Sequence, residues 1–271
     1  MNLQRCTTAA LHILCAMLCL IVCTMTRAAE RVTLMRTPEG GIQPQAAVDS
    51  QGNVHLIYFK GNPEAGDLFY ARLKPTQQRF SDPIRVNSQP GSVIAVGTIR
   101  GGQLAVGKDD RVHVVWNGSG TAQPKGAGGN PMLYTHLNTN GDGFEPQRNI
   151  ITWAGGLDGG GSVAADPLGN VYVVWHAMGG AKDESGRAVF VSHSGDNGQT
   201  FHREKQANTV PTGACGCCGL KAFADRSGDL YVLYRSAGEK INRDMTLLAS
   251  SNKGETFQVE SSTSGPSMRA P

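Results

Sequence analysis

The sequence carries little charge, and the two signs nearly balance. Only 17% of the 271 residues are charged, and 25 lysines and arginines stand against 22 aspartates and glutamates. No segment forms the basic stripe that nucleic-acid-binding proteins present to phosphates. We therefore expect no nucleic acid among its partners.

Helical periodicity is missing, and so is any Gly-X-Y repeat. The chain has 35 glycines, about 13% of its residues, and none lies in the first 38, whereas average proteins contain roughly 7% glycine. Glycines scattered in this way exclude collagen, and the 39% hydrophobic content argues against wholesale disorder. The excess indicates many turns, which are typical of an all-β chain.

Cysteine is scarce beyond the N-terminal segment. An apolar stretch, 9–25, follows Arg5 and precedes Thr26-Arg27-Ala28, as in a secretory signal peptide. We expect cleavage of residues 1–28 after Ala28, export to the periplasm or the cell exterior, and no stable membrane span thereafter. Without Arg5 and Arg27, 23 basic residues face 22 acidic ones. The alternative is an uncleaved anchor, because the run nearly reaches the ~18 residues that a span needs.

Four aromatic-ended segments recur at a nearly constant spacing. They begin at His55, His113, Tyr172 and Tyr231, which are 58, 59 and 59 positions apart. In each copy a short strand and a turn come before this segment, and two more strands follow it. Four antiparallel strands in each repeat predict a β-propeller blade. We expect blades at about 41–90, 99–151, 160–208 and 217–260, within a propeller of residues 29–260, followed by an irregular tail, 261–271.

Two turns between the third and fourth strands share one pattern. It comprises Ser194, Asp196, Gly198, Thr200 and Phe201 in one copy, and Ser250, Asn252, Gly254, Thr256 and Phe257 in the next. This pattern resembles the Asp box of the BNR-repeat, sialidase-like propellers. The Asp side chain can accept hydrogen bonds from the turn, glycine permits a positive φ, and phenylalanine can fill the space between sheets. We expect a structural role, at the end opposite the ligand-binding loops.

The resemblance implies a six-bladed propeller, so four blades suggest a truncated or frameshifted member.

Sialidases of this fold hold the substrate carboxylate with three arginines, and use an Asp acid/base and a Tyr nucleophile supported by Glu. Met35-Arg36-Thr37-Pro38 is similar to the motif that carries the first arginine. Glu64 and Asp67 are candidates for the acid/base. The family takes its third arginine and its tyrosine from later blades.

The loops between second and third strands, together with the connections between blades, should converge at one end of the propeller, where ligands bind. The candidate ligand-binding residues are Arg36, Arg100, Arg235 and Arg243.

Three of the seven cysteines lie beyond residue 28, in Gly213-Ala214-Cys215-Gly216-Cys217-Cys218-Gly219. Together they can hold a soft metal ion if a fourth ligand, such as His176 or His202, comes near. The alternatives are a Cys215–Cys218 disulfide or a bond to a cysteine elsewhere. No other cofactor is expected.

Two classes of function follow. The first is a module that binds a glycan or a protein on its loop face without a complete catalytic set, and we favour it. The second is an exo-sialidase-like glycoside hydrolase acting on terminal acidic sugars.

Overall fold

The computed structural model describes residues 32–97, 99, 101–178, 181–238 and 243–263. The chain divides into two compact units, Met1–Arg36 and Thr37–Pro271. In the first unit the described residues, 32–36, form no helix or strand. The predicted signal peptide, 1–28, lies outside the described residues, as do Arg100 and positions 264–271.

The described part of the second unit forms four antiparallel sheets of four strands, each with its strands in chain order. Blade 1 contains β1 (Ile42–Val48), β2 (Val54–Asn62), β3 (Ala65–Leu73) and β4 (Ile84–Arg85). Blade 2 contains β5 (Gly102–Val106), β6 (Val112–Asn117), β7 (Met132–His136) and β8 (Arg148–Asn149). Blade 3 contains β9 (Leu157–Ala165), β10 (Val171–Ala177), β11 (Ala188–Ser194) and β12 (Lys205–Gln206). Blade 4 contains β13 (Leu220–Ala224), β14 (Leu230–Arg235), β15 (Met245–Ser250) and β16 (Gln258–Thr263). This arrangement confirms the predicted all-β architecture with four blades.

The last strand extends further than the sequence indicated. β16 continues through Thr263, three residues into the segment expected to be an irregular tail, and Thr263 pairs with Met245. An outer strand needs only backbone hydrogen bonds to one neighbour, so the polar residues Ser261 and Ser262 can join it without an apolar pattern.

The hydrophobic core lies between the blades, in three clusters that bridge blades 1 and 2, 2 and 3, and 3 and 4. The alternation of side chains along a strand explains how one blade serves two clusters. On β6, Trp116 belongs to the first cluster, whereas its neighbour Val115 belongs to the second. The middle strands are therefore apolar on both faces, and β6, β7 and β10 are buried along their whole length.

The phenylalanines that precede the fourth strands join adjacent blades. Phe144 of blade 2 meets Tyr70 of blade 1 edge-on, with ring centroids 5.4 Å apart. Phe201 of blade 3 meets Tyr134 of blade 2 in the same way at 4.8 Å. Edge-to-face contacts of this kind favour a fixed spacing between sheets. Phe144 and Phe201 therefore pack against the clusters between adjacent blades.

The turns between first and second strands share the sequence pattern Asp-x-x-Gly in three blades. One carboxylate oxygen of Asp49, Asp166 or Asp225 accepts two backbone N–H groups of its own turn at 2.8–3.0 Å. The glycine that follows has a φ of +80°, +99° or +91°. Aspartate thus fixes the turn, and glycine adopts the backbone conformation that other residues avoid.

Buried histidine–tyrosine pairs recur inside the first two blades. His55 Nδ1 lies 2.7 Å from the Tyr70 hydroxyl, and His113 Nδ1 lies 2.8 Å from the Tyr134 hydroxyl. Burial lowers the pKa of His113 to about 3, so this ring is neutral at ordinary pH. The pairs satisfy polar groups within the blade.

In the described residues, no helix is long and apolar enough to cross a membrane.

Candidate functional site

The longer loops and the inter-blade connections meet at one end of the strands, which we call the loop end. Three backbone hydrogen bonds join them: Ala95 to Pro63 at 2.8 Å, Ser119 to Ser92 at 3.0 Å, and Ala237 to Thr212 at 2.9 Å. Because neighbouring strands are antiparallel, the short hairpin turns and the predicted Asp boxes lie at the opposite end.

The predicted Asp boxes are closed by their own side chains. Asp196 accepts hydrogen bonds from Ser194 Oγ at 2.7 Å and from Thr200 N and Oγ1 at 2.8 and 2.6 Å. Burial opposes ionisation of Asp196, but the hydrogen bonds from Thr200, Ser194 and the Gln199 N–H together outweigh it and lower its pKa to about 2. Asn252 makes equivalent contacts with Ser250 and Thr256 in blade 4 at 2.8–3.0 Å. These carboxylate and amide groups are engaged within their own turns.

At the loop end of blade 4, a tight turn brings the three cysteines together. The backbone N–H of Cys215 donates to the carbonyl of Arg235 on β14 at 2.8 Å, and Gly216–Cys218 form a single 3₁₀ turn. The Sγ atom of Cys215 lies 3.1 Å from that of Cys217 and 3.2 Å from that of Cys218, and the latter two are 3.7 Å apart. Cys215 is fully buried, whereas Cys217 and Cys218 are exposed.

Two of the predicted ligand-binding arginines contact this turn. Arg243 Nη1 donates to Cys215 Sγ at 3.2 Å, and Arg235 Nη1 donates to Cys218 Sγ at 3.3 Å. Arg235 Nε also donates to the carbonyl of Arg243 at 3.2 Å. The five residues form what we call the thiol–arginine cluster: Cys215, Cys217, Cys218, Arg235 and Arg243.

A layer of ion pairs supports the cluster from blade 3. Glu184 accepts hydrogen bonds from Arg243 Nη2 at 2.8 Å and from Arg187 Nη1 at 3.1 Å. Arg187 is only 5% exposed, pairs with Asp158 on β9, and donates to the carbonyl of Ala214 at 2.9 Å. A buried guanidinium bound by two carboxylates holds the cysteine turn against blade 3.

Glycine makes this close approach possible. A Cβ atom at Gly159 would lie 2.1 Å from the carbonyl oxygen of Gly216, and the φ of Gly159 is +78°. A Cβ atom at Gly216 would lie 2.8 Å from the carboxyl carbon of Asp158. Neither position has room for a side chain, so β9 and the cysteine turn touch through their backbones.

The two exposed thiols differ in how readily they ionise. Burial disfavours the Cys218 thiolate, but the hydrogen bonds with Arg235, Cys215 and Cys217 and the charge of Arg235 together outweigh it and lower the pKa of Cys218. Hydrogen bonds to Cys215 and Cys218 raise the pKa of Cys217 to about 12. Cys218 is therefore the more readily ionised of the two.

The other ligands suggested for a metal do not join the cysteines. Among the described residues, the three thiols form a group of potential ligands whose sulfur atoms all lie within 4.8 Å of one another. His202 lies beyond β11 at the turn end, where its ring is 5.8 Å from that of His193. His176 is buried near the loop end of β10, and burial, reinforced by the charge of Arg187, lowers its pKa to about 4. The expectation of a fourth ligand from either histidine is not met.

The remaining predicted site residues lie elsewhere. Arg36 is exposed and belongs to the N-terminal unit, and Arg100 lies outside the described residues. Glu64 is exposed in the two-residue turn between β2 and β3. Asp67 is half-buried on β3, where its Oδ1 accepts hydrogen bonds from Asn87 Nδ2 at 2.6 Å and from Gly91 N at 2.8 Å. Their roles in binding or catalysis stay predictions.

Solved structures share this fold at low sequence identity. A protein of unknown function from Dyadobacter fermentans is 16% identical with a TM-score of 0.54, over 86% of this chain and 71% of its own. The Hadza microbial sialidase Hz136 is 14% identical with a TM-score of 0.54, over 84% of this chain and 46% of its own.

A six-bladed fungal lectin from Aleuria aurantia is 11% identical with a TM-score of 0.51, over 81% of this chain and 60% of its own. The chain has a sialidase-like propeller fold. No family model and no curated protein sequence matches it.

Proposed function

We propose that this chain is an exported propeller module that binds a glycan at its loop end without a complete sialidase catalytic set. The observation that supports this most is the adjacency of Arg235 and Arg243 on the loop end of blade 4. Guanidinium groups bind carboxylates through paired N–H donors. An acidic sugar is therefore the ligand class that we propose, with a protein ligand on the same loops as the alternative.

The donors of these arginines leave capacity for a ligand. A guanidinium has five N–H donors, and contacts with the described residues use Nε and Nη1 of Arg235. The Arg243 side chain is 25% exposed although it is paired with Glu184. The sialidase and the fucose-recognising lectin that share the fold also support a glycan ligand.

The tyrosines argue against catalysis by the sialidase route. All six lie within the described residues, and five of them, Tyr58, Tyr70, Tyr134, Tyr172 and Tyr234, are no more than 2% exposed. The sixth, Tyr231, lies in the middle of β14, where it pairs with Ala249. None stands open at the loop end as a nucleophile, so the exo-sialidase-like hydrolase is the second candidate.

Binding is tested by calorimetry with a sialylated oligosaccharide and its desialylated counterpart. We expect binding of the sialylated sugar alone, and its loss in Arg235→Gln. Arg226→Gln is the matched control, because Arg226 is exposed in the hairpin turn at the opposite end of blade 4. Equal binding of both sugars, or of both variants, would contradict the proposed site.

Catalysis is tested by release of a fluorescent alcohol from an aryl sialoside. We expect no turnover above that of buffer. Turnover that disappears in Arg36→Ala would replace the binding module with the hydrolase.

We also propose that the chain belongs to the BNR-repeat propellers and is exported. The closed turns around Asp196 and Asn252 support the first proposal, and the Arg5-to-Ala28 pattern supports the second. Export is checked by fractionating expressing cells and sequencing the mature N-terminus, which we expect to be Ala29.

The cofactor that we propose is a soft metal ion held by Cys215, Cys217 and Cys218. The proximity of their three sulfur atoms supports it, since thiolates select soft metal ions.

A further inference from the structure

The cysteine turn offers three sulfur ligands and no fourth side chain from the described residues. Of the two nearby carboxylates, Asp158 is paired with Arg187, and Glu184 is held by Arg187 through one oxygen and by Arg243 through the other. Structural zinc sites almost always take four protein ligands in a tetrahedron. Among the metals that thiolates select, monovalent copper is the one that this donor set suits better.

The spacing of the sulfur atoms is compatible with a planar three-coordinate ion. Metal–sulfur bonds of ~2.3 Å in such a plane place the sulfurs roughly 4 Å apart. The sulfurs here are 3.1, 3.2 and 3.7 Å apart, so they must separate by less than about 1 Å. Cys217 and Cys218 are exposed, whereas buried Cys215 is held by its backbone bond to Arg235, so the two exposed side chains are the ones that would move outward.

The two arginines place positive charge directly beside this complex. Three thiolates and one monovalent ion carry a net charge of two minus, and the guanidiniums of Arg235 and Arg243 touch two of the three sulfurs. Opposite charges in direct contact offset the cost of holding an anionic complex against the protein.

We propose that Cys215, Cys217 and Cys218 bind one monovalent copper ion in a three-sulfur site that is flanked by the positive charges of Arg235 and Arg243. This inference rests on the proposal of a soft metal ion at the cluster. It does not depend on glycan binding.

The test uses mature protein, reduced and kept free of oxygen. It is titrated with monovalent copper against a chromophoric copper chelator, and with zinc against a chromophoric zinc chelator. We expect one copper per chain, three sulfur neighbours by X-ray absorption, and copper affinity reduced at least ~10-fold in Cys217→Ser. We expect Arg235→Gln to weaken copper binding by roughly 10-fold and zinc binding less, with Arg226→Gln unchanged.

The outcomes separate the proposals. Tight zinc binding with copper lost to the chelator would overturn the copper site and leave the soft-metal proposal intact. Binding of neither ion would overturn both. Two sulfur neighbours, or a Cys215–Cys218 disulfide in protein made in copper-supplied cells, would also overturn the three-sulfur site. The glycan proposal is judged separately, by calorimetry with the sialylated sugar on copper-free protein.

Discussion

Glu204 is the side chain whose removal should weaken the joint between blades 2 and 3 most clearly. It is 2% exposed, and its carboxylate accepts hydrogen bonds from Thr152 N and Oγ1 at 2.9 and 2.6 Å, Trp153 N at 2.7 Å and Ala154 N at 2.8 Å. These donors lie on the connection that leads from β8 into β9. One carboxylate thus anchors a whole inter-blade connection.

The cost of Glu204→Ala follows from the state of those donors. Ala154 is fully buried, so its N–H would be left without a partner, which costs ~1–3 kcal/mol. Water can reach the exposed residues Thr152 and Trp153, so each of their bonds costs a smaller net amount, about 0.5–1.5 kcal/mol. We expect a loss of about 3 kcal/mol in the free energy of unfolding, measured by urea denaturation at pH 7. The exposed Glu145→Gln is the control and should change it by less than about 0.5 kcal/mol.

The pH dependence gives a second measurement of the same interaction. Burial opposes ionisation of Glu204, but its bonds from Thr152, Trp153 and Ala154 outweigh this and lower its pKa. A lowered pKa means that the stabilisation is present above the ordinary pKa of glutamate and is lost as pH falls through the folded-state value. Glu204→Gln should therefore differ from the unmodified protein at pH 7 and converge with it at acid pH. A loss under about 1 kcal/mol in Glu204→Ala, or a gap to Glu204→Gln that does not depend on pH, would refute this account.

The remaining predictions concern the two ends of the propeller. Gly159→Ala should destabilise the fold by about 2 kcal/mol or more and speed the reaction of the cysteines with a thiol reagent, because its Cβ would meet a backbone carbonyl at 2.1 Å. Gly160→Ala is the matched control, since a Cβ there meets nothing within 4 Å; equal effects of the two would contradict the close approach. Asp196→Asn should be nearly neutral in thermal unfolding, because Asn252 makes the same contacts in blade 4. Asp196→Ala should cost about 1 kcal/mol; a larger loss in the Asn variant than in the Ala variant would contradict a purely hydrogen-bonding role.

Much of the fold was predictable because it depends on local patterns repeated four times. The 58-to-59-residue period, the Asp-x-x-Gly turns and the phenylalanine before each fourth strand are all properties of neighbouring residues. Hairpin turns impose hydrogen-bonding and φ requirements that only a few residue types meet. The extension of β16 to Thr263 was not predictable, since an outer strand needs no apolar alternation.

The sequence predicted several residues of the site, but not the contacts between them. The sequence identified the three cysteines and nominated Arg235 and Arg243, but it did not show that these arginines contact the thiols. It named Glu184, Arg187 or Asp158 no more strongly than any other charged loop residue, although they form the ion-pair layer. It also suggested His202 as a ligand, whereas the alternation of strand direction places that residue at the turn end.

By itself, the sequence determined the repeating unit, the number of blades described here, the turn chemistry and the presence of a compact group of thiols. Those features arise within a few residues of one another, so local sequence is sufficient to specify them. The tertiary structure alone decided which charges surround the thiols, because Cys215 and Arg243 are 28 positions apart and meet only when blade 4 folds. It also decided how closely the cysteine turn approaches blade 3. Gly159 lies on β9 of that blade and leaves room for the turn only when the two blades pack together.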